Sequence, residues 1–383
     1  MPVNVWAPLR LLPAPSENKI ARMPSPVTAS SPTTAGRLGV VLTGGTVGSQ
    51  ITRGERGEVV DLADVLTGAK PEIGLLESAI EGVGGPEVPI ARPMASLSES
   101  LLPADWVSIA EAARGLIEHE GASRIVILHG TDTMAYTAAA LSFLLADVAA
   151  PIVLTGSNLP PDHPRSDAAK NLHDTLVAIP LLRPGVYIAF AGGARSPGWV
   201  HVGTRARKVR ASGPAFASVN RQPAGKVVDG RFLELHPLDR EQRPSRPPAV
   251  DDRVLALRLY PGIDFEAIWS MIEAGSFTGV MLELYACATA PRRGSARNSA
   301  PEFVRRACAR GVAVVAAVPA APAGTPSLYE ATIELEDAGA VFVHDMLPET
   351  ATVKLMWVLA QSGGREDYAR MMLDPVAEEL RVS

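Results

Sequence analysis

Cysteine is nearly absent from this chain: its 383 residues carry two, Cys287 and Cys308, 21 residues apart. Neither belongs to a C-x-x-C pair or stands at metal-ligand spacing from a histidine, which excludes a disulfide framework and a zinc site. Each reads as a small buried hydrophobe, and neither a metal nor a cofactor is expected. Aromatic residues are scarce at 5%, too few for a base-stacking platform. No excess of positive charge exists either: 36 Lys and Arg against 41 Asp and Glu leave a net charge of -5, and the densest basic stretch, Thr204 to Arg210, is short. Nucleic acid and anionic membrane are therefore excluded as partners, and a small molecule is expected. No apolar run approaches the roughly 18 residues of a transmembrane helix. The opening Met1 to Arg37 holds seven prolines and runs of Ser and Thr. It lacks a basic start followed by an apolar segment, so it does not read as a secretory signal. Residues 1–36 are expected to be a disordered extension, with Met23 available as an alternative start, and the protein is expected to be cytoplasmic.

Hydrophobic residues make up 47% and charged residues 20% of the chain, enough to bury a sizeable core, and the length suits two domains. Short runs rich in Val, Ile and Leu alternate with segments of helical period from Leu38 onward, the signature of an α/β fold with a parallel sheet flanked by helices. Strands are predicted at Leu38 to Thr43, Arg124 to His129, Pro151 to Thr155 and Gly185 to Phe190, each almost continuously apolar as doubly covered strands are. Ala104 to Glu120 places Trp106, Ile109, Ala110, Ala113, Leu116 and Ile117 on one helical face, with Pro103 suited to the start and Gly121 to the end. Another helix is predicted from Thr133 to about Ala146. From Arg221 to Arg253 the pattern dissolves into Pro, Arg, Asp and Gly. The boundaries that follow are a larger N-terminal catalytic domain over 37–225, a linker over 226–250 and a smaller C-terminal α/β domain over 251–383. The latter repeats the theme with strands at Val254 to Tyr260, Gly279 to Leu284 and Val312 to Val318.

Three motifs carry candidate chemistry. Thr43-Gly44-Gly45-Thr46 leaves the first strand, where paired glycines let backbone approach a ligand and Thr46 projects a hydroxyl. It lacks both the lysine of a phosphate loop and the G-x-G-x-x-G of a dinucleotide fold, and a simple turn explains it equally well. His129-Gly130-Thr131-Asp132-Thr133-Met134 closes another strand and opens a helix, so Thr131 and Asp132 stand where anions are favoured, though capping accounts for Asp132 or Thr133 with no chemistry at all. Thr155-Gly156-Ser157-Asn158 leads into Arg165-Ser166-Asp167 and reads mostly as turn and cap chemistry. All three leave one edge of one parallel sheet, where open α/β sheets bind ligands. Without a G-x-S-x-G elbow, an H-E-x-x-H or a cysteine nucleophile, a threonine hydroxyl is the best nucleophile present.

Thr43-Gly44-Gly45-Thr46 taken together with Gly130-Thr131-Asp132-Thr133-Met134 resembles the two signature motifs of bacterial-type L-asparaginases. The stretch from Ala135 to Phe143, Thr155-Gly156-Ser157 and Arg165-Ser166-Asp167 are similar to the cytoplasmic type I branch. The resemblance runs from about Leu38 to Leu359 and weakens in the second domain. It implies hydrolysis of a free amino-acid amide, foremost asparagine to aspartate and ammonia. Thr46 would be the primary nucleophile forming a β-acyl ester. Thr131 would form a triad with Asp132 and Lys208 that activates the attacking group or water. Asp132 would also receive the substrate α-ammonium, and Ser98 and Glu99 would grip the α-carboxylate and α-amine. Lys208 can serve as a base only if burial overcomes the pull of the adjacent carboxylate on its proton. The resemblance further implies a homodimer or homotetramer, with the active site completed across a subunit interface.

The chain departs from the family in two places. The lid tyrosine is missing, since no tyrosine precedes Tyr136, and Glu58 lies nearest its place. A carboxylate there could be the lid base, or could signal another substrate such as glutamine or a modified amide. Where type I relatives carry a glycine-rich turn ending in Asn, this chain has Tyr285-Ala286-Cys287-Ala288-Thr289-Ala290-Pro291. Two competing readings are a non-catalytic amino-acid-binding relative and the archaeal tRNA-dependent amidotransferase subunit. Retention of Thr46, Thr131, Asp132 and Lys208 disfavours the first; the acidic balance and the nature of residues 1–36 disfavour the second.

Overall fold

In the computed structural model, the apolar run Leu38–Leu42 forms β1, buried at every position, as a strand covered on both faces must be. The structure describes residues 36–45, 50–54, 57–61, 88–193, 195–319 and 329–381, with only the backbone described for 50–54, 57–61 and 365–366. Residues 1–35, which hold almost all of the expected disordered extension, lie outside these. After β1 come an antiparallel hairpin of β2 (Gln50–Gly54) and β3 (Gly57–Asp61), and then β4 (Ile90–Ala91). Helix α1 (Pro103–Glu118), β5 (Arg124–Leu128), α2 (Met134–Leu144), β6 (Pro151–Thr155), α3 (Ala168–Ala178), β7 (Gly185–Ala191) and β8 (Gly198–Val202) continue the chain. Pro103 does open α1, the Asp105 carboxylate accepts the Leu102 N–H at 2.7 Å, and Gly121, at φ 67°, turns the chain away beyond its end.

Two short strands follow, β9 (Ala206–Lys208) and β10 (Phe216–Ser218), paired with each other, and then β11 (Gly225–Val228) and β12 (Arg231–Glu234). The stretch expected to be a linker, 226–250, thus opens with two strands of the large sheet. Asp229 and Gly230 stand at φ 49° and 70°, the two left-handed residues of a tight hairpin, and that Asp-Gly signal lies hidden among the surrounding prolines and arginines. The eight strands lie in the order β12-β11-β8-β7-β6-β5-β1-β4, parallel from β4 to β7 and antiparallel beyond. Chain order reverses at β1, whose neighbours are β4 on one side and β5 on the other. A crevice opens at such a switch point, beyond the carboxyl ends of β1 and β5.

The smaller part is a four-stranded parallel sheet of β13 (Val254–Arg258), β14 (Gly279–Glu283), β15 (Ala313–Ala317) and β16 (Val341–Phe342). Its helices are α4 (Phe265–Glu273), α5 (Ala300–Ala309), α6 (Glu330–Asp337), α7 (Pro348–Gln361) and α8 (Arg365–Leu373). The fold is therefore two-domain α/β, a large parallel-rich sheet and a smaller one, within a single compact unit. Helices α2 and α7 are buried on nearly every side because they pack against each other between the two sheets, Phe143 stacking on Trp357 at 5.6 Å. Val41, Ile125 and Ile127 face this shared core together with Met281 and Val315, while Val40, Leu42, Val126 and Leu128 face the other side with Leu172 and Leu176 of α3. Cys308 is buried as expected, but Cys287 is exposed, carried on a turn in which Ala288 takes φ 58°. Among the described residues no helix is long and apolar enough to cross a membrane.

Within the core, Lys354 of α7 and Glu379 of the C-terminal tail form an ion pair at 2.6 Å with both side chains at 0% exposure. Burial alone would push the Glu379 carboxyl up. The Lys354 charge and hydrogen bond, with the Ala377 and Val376 N–H groups, outweigh it and hold the carboxyl below its ordinary 4.5. A depressed carboxyl stabilises the fold above its ordinary value and loses that contribution as pH falls through the depressed one. Lys354→Met, which strands a buried carboxylate, is expected to cost about 3–5 kcal/mol in urea unfolding at neutral pH. Wild type is expected to lose stability below pH 4.5 more steeply than Glu379→Gln; equal acid slopes would remove the pair from the account.

Candidate active site

The switch point is built by backbone in close approach. Thr43 continues the pairing of β1 with β5, its N–H and hydroxyl both donating to the Leu128 carbonyl at 3.1 and 3.0 Å. Gly44 and Gly45 then take φ 97° and 85°, which only glycine adopts without strain. Neither has room for a side chain: a Cβ on Gly44 would lie 2.6 Å from the Ser96 carbonyl oxygen, and one on Gly45 2.4 Å from the Gly130 nitrogen. Gly130 is in turn pressed on Ser98, whose hydroxyl would stand 2.6 Å from a Cβ there. The exits of β1 and β5 and the 96–100 segment thus form one layer. Thr46 follows Gly45 directly and lies outside the described residues. Glu58 pairs with Arg53 across the β2–β3 hairpin, and its side chain is likewise outside them.

On this layer Lys208, the last residue of β9, reaches back to the β5 exit. Its ammonium donates to the Thr131 hydroxyl at 2.8 Å and to the Asp132 carboxylate at 2.5 Å. Thr131 is buried and the Lys208 side chain nearly so, at 19% exposure, while that of Asp132 is 63% exposed and opens the cluster to solvent. Because Lys208 donates to Thr131, the threonine's own proton is left to be given elsewhere. The Ser98 hydroxyl accepts the Asp132 N–H at 3.2 Å, and its carbonyl accepts the Thr133 hydroxyl at 2.7 Å. Glu99 is exposed on the same single turn, Ser98–Ser100. These bonds decide the capping question left open by sequence. Thr133 occupies the N-cap of α2 with no side-chain cap, its hydroxyl turned to Ser98, and the Asp132 carboxylate is committed to Lys208. Ser98, Thr131, Asp132 and Lys208 are therefore brought together.

Three supports lie in segments that the sequence reading quotes without giving them these roles. His129 is wholly buried one residue before Gly130. Burial lowers its imidazole to about 4, the hydrogen bond to the Gly130 carbonyl pulling the other way. A carbonyl only accepts, so Nδ1 carries the proton to Gly130, at 2.6 Å, and Nε2 accepts the Thr137 hydroxyl at 2.9 Å. A polar residue ending an apolar strand was its one visible signal. Asp167 and Asn171 staple the β6 exit: Asp167 accepts the Asn158 N–H and side-chain amide, both at 2.9 Å, and Asn171 donates to the Gly156 carbonyl at 2.8 Å. Arg205 and Arg207, which read as part of a basic run, pair with Asp345 and Glu349 at 3.0 and 2.6 Å and so flank the lysine with fixed neighbours. Among the described residues no group of three His, Cys, Asp or Glu is placed to hold a metal ion.

Residues 37–237 match the family described as Asparaginase, N-terminal, and residues 253–372 match the Glutaminase/Asparaginase C-terminal domain. The chain is similar to a Glutamyl-tRNA(Gln) amidotransferase component of Pyrococcus horikoshii, 34% identical over 354 residues that cover 89% of this chain and 76% of that protein. It is similar also to the L-asparaginase of Thermococcus kodakarensis, 35% identical over 294 residues, or 76% of this chain and 85% of that one. Among solved structures, the thermostable L-asparaginase from Thermococcus kodakarensis aligns with a TM-score of 0.76 at 31% identity, covering 91% of this chain and 100% of that chain.

The neutral His129 makes the site's scaffold acid-sensitive. Between its ordinary 6.5 and about 4 the unfolded chain binds a proton that the folded chain refuses, so stability falls as pH drops through this window. At about 1.4 kcal/mol per pH unit the loss is roughly 3 kcal/mol. Burial lowers His201 to about 4 as well, which doubles the effect. His129→Gln is expected to be less stable at neutral pH but to show about half the wild-type slope of stability between pH 6.5 and 4. An unchanged slope, measured by urea melts across the window, would show that His129 is not buried in its neutral form.

Proposed function

The chain belongs to the asparaginase family of amidohydrolases, and from that membership we propose that it hydrolyses the side-chain amide of free L-asparagine to L-aspartate and ammonia. In this reading the Thr46 hydroxyl attacks the amide carbon and its proton passes to the departing nitrogen, so that ammonia leaves and a β-acyl ester remains on Thr46. Water then cleaves the ester, returning a proton to Thr46 and releasing aspartate. The observation that carries the reading is the cluster of Lys208, Thr131 and Asp132 at the switch point, with Gly45 packed against Gly130.

The roles divide by geometry. Asp132, the one exposed carboxylate of the cluster, receives the α-ammonium in a charge-assisted bond, and Ser98 and Glu99 complete the grip on the amino-acid head. As the α-ammonium takes up Asp132, Lys208 is left to Thr131, and the pair handles the proton of the attacking group or water. Glu58, on the hairpin that follows Thr46, stands in for the lid tyrosine. The working unit in this reading is a homodimer or homotetramer. A second reading, favoured by the 34% identity to an amidotransferase component over 354 residues, uses the same chemistry to release ammonia for a partner protein.

Ammonia release from L-asparagine and L-glutamine by the purified chain separates these readings. Asparagine turnover without any partner is expected, with glutamine slower. Thr46→Ala should lower kcat by at least about a thousandfold, and Lys208→Met by about a hundred- to a thousandfold. Aspartate binding with no turnover of either amide would falsify the hydrolase reading, and full activity in Thr46→Ala would show the nucleophile to be misassigned.

A further inference from the structure

The Lys354–Glu379 pair takes no part in the chemistry proposed above, yet it is joined to Thr131 by hydrogen bonds as far as Thr204 and Arg205, then by the short stretch of backbone from there to Lys208, and last by the bond from Lys208 to Thr131. Lys354 donates to Glu379 at 2.6 Å and to the Asp374 and Met372 carbonyls at 2.6 and 3.0 Å. The Glu379 carboxylate accepts the N–H groups of Val376 at 2.9 Å and Ala377 at 2.7 Å, so the tail is folded around the pair. The next links are the tail's carbonyls. Ala377 accepts the Thr204 hydroxyl at 2.7 Å, and Glu378, held at φ 56° in the left-handed region, turns its carbonyl to the Arg205 Nε at 2.6 Å. Thr204 is gripped a second time, its carbonyl accepting the Thr350 hydroxyl at 2.7 Å.

These ties matter because β9 belongs to neither of the two main sheets: among the described strands it pairs only with β10. Beyond that pairing it is held by Ala206, buried in the shared core, and by Arg207 on Glu349 and the Pro319 carbonyl, and the tail adds the ties on the two residues just before it. A lysine side chain has several rotatable bonds, and its ammonium meets Thr131 and Asp132 only if the backbone it springs from is fixed. Thr204, Arg205 and Arg207 all bind C-terminal residues, and Lys208 alone reaches the other way. We propose that Glu379 is a positioning residue for the active site: by gripping Lys354 it fixes the C-terminal tail, whose carbonyls hold Thr204 and Arg205 and thereby set Lys208 against Thr131 and Asp132. The catalytic value of that placement rests on the function proposed above; the placement itself does not.

The test follows two readouts in the full chain: kcat with L-asparagine, and the rate at which Lys208 is methylated by formaldehyde and cyanoborohydride, resolved by peptide mass spectrometry. In Glu379→Gln, well below the melting temperature, kcat should fall about ten- to a hundredfold and Lys208 should be methylated several-fold faster. Glu379→Asp should fall between this variant and wild type on both measures. Thr204→Val removes one hydroxyl from the run and should shift both readouts in the same direction, which keeps the proposal testable if Glu379→Gln fails to fold. Leu335→Ala, in the far core of the small sheet, should lower Tm and leave both readouts unchanged. Wild-type Lys208 methylation in folded Thr204→Val and Glu379→Asp overturns the proposal. Full turnover in Lys208→Met would instead overturn the catalytic reading, while the methylation rates still decide whether the tail places the lysine.

Discussion

Backbone contact between the exits of β1 and β5 is the constraint on which the site depends. Neighbouring parallel strands lie about 4.8 Å apart, so loops leaving both at the same edge can touch only where side chains are absent. Gly45 against Gly130, and Gly130 against Ser98, meet that condition, and a Cβ at either glycine would overlap its neighbour. The left-handed turn at Gly44 and Gly45 then sends the chain onward from the spot where the Thr131 peptide begins. His129, neutral and buried, fixes the same peptide from beneath through the Gly130 carbonyl. The glycine turn after β1 and the Gly130–Thr131 peptide after β5, far apart in the chain, are thus pressed together by a few small or buried residues.

The second determinant comes from the far end of the chain. The small sheet and its helices contribute none of the four side chains brought together at Thr131, yet α7 and the tail beyond α8 decide where Lys208 sits. Three of the cations in the run from Thr204 to Arg210 are consumed internally: Arg205 by Asp345, Arg207 by Glu349, and Lys208 by Asp132. Most of the basic stretch is accounted for by these internal pairs. Burial of α2 against α7 supplies the rigidity, since the helix that follows Thr131 and Asp132 and the helix that carries Lys354 share one core.

Elements governed by local pattern were legible from sequence. The four apolar strands of the large sheet and helix α1 stand within a residue or two of their expected limits, because burial on both faces demands a continuous apolar run and Pro103 and Gly121 punctuate the helix. Elements governed by distant partners were not. Residues 225–234 read as connection because Lys226, Arg231 and Glu234 break the hydrophobic pattern; as an edge hairpin their outer face meets solvent and needs no apolar residues. Cys287 read as buried from its apolar neighbours, but the turn from Tyr285 to Thr289 carries it outward.

By itself the sequence determined the reaction class through resemblance: Thr43-Gly44-Gly45-Thr46 and Gly130-Thr131-Asp132-Thr133-Met134, each explicable alone as a turn or a cap, together match the signature motifs of the family. Tertiary structure alone decided that Asp132 binds Lys208 rather than capping α2, that the Thr133 hydroxyl turns to Ser98, and that the C-terminal tail holds the lysine's strand. The physical reason is range. A turn or a cap is settled by residues within a few positions, whereas the bond from Lys208 to Thr131 spans 77 residues and that from Thr204 to Ala377 spans 173. Such partners are chosen by which surfaces the packed sheets bring together, and no spacing along the chain records that choice.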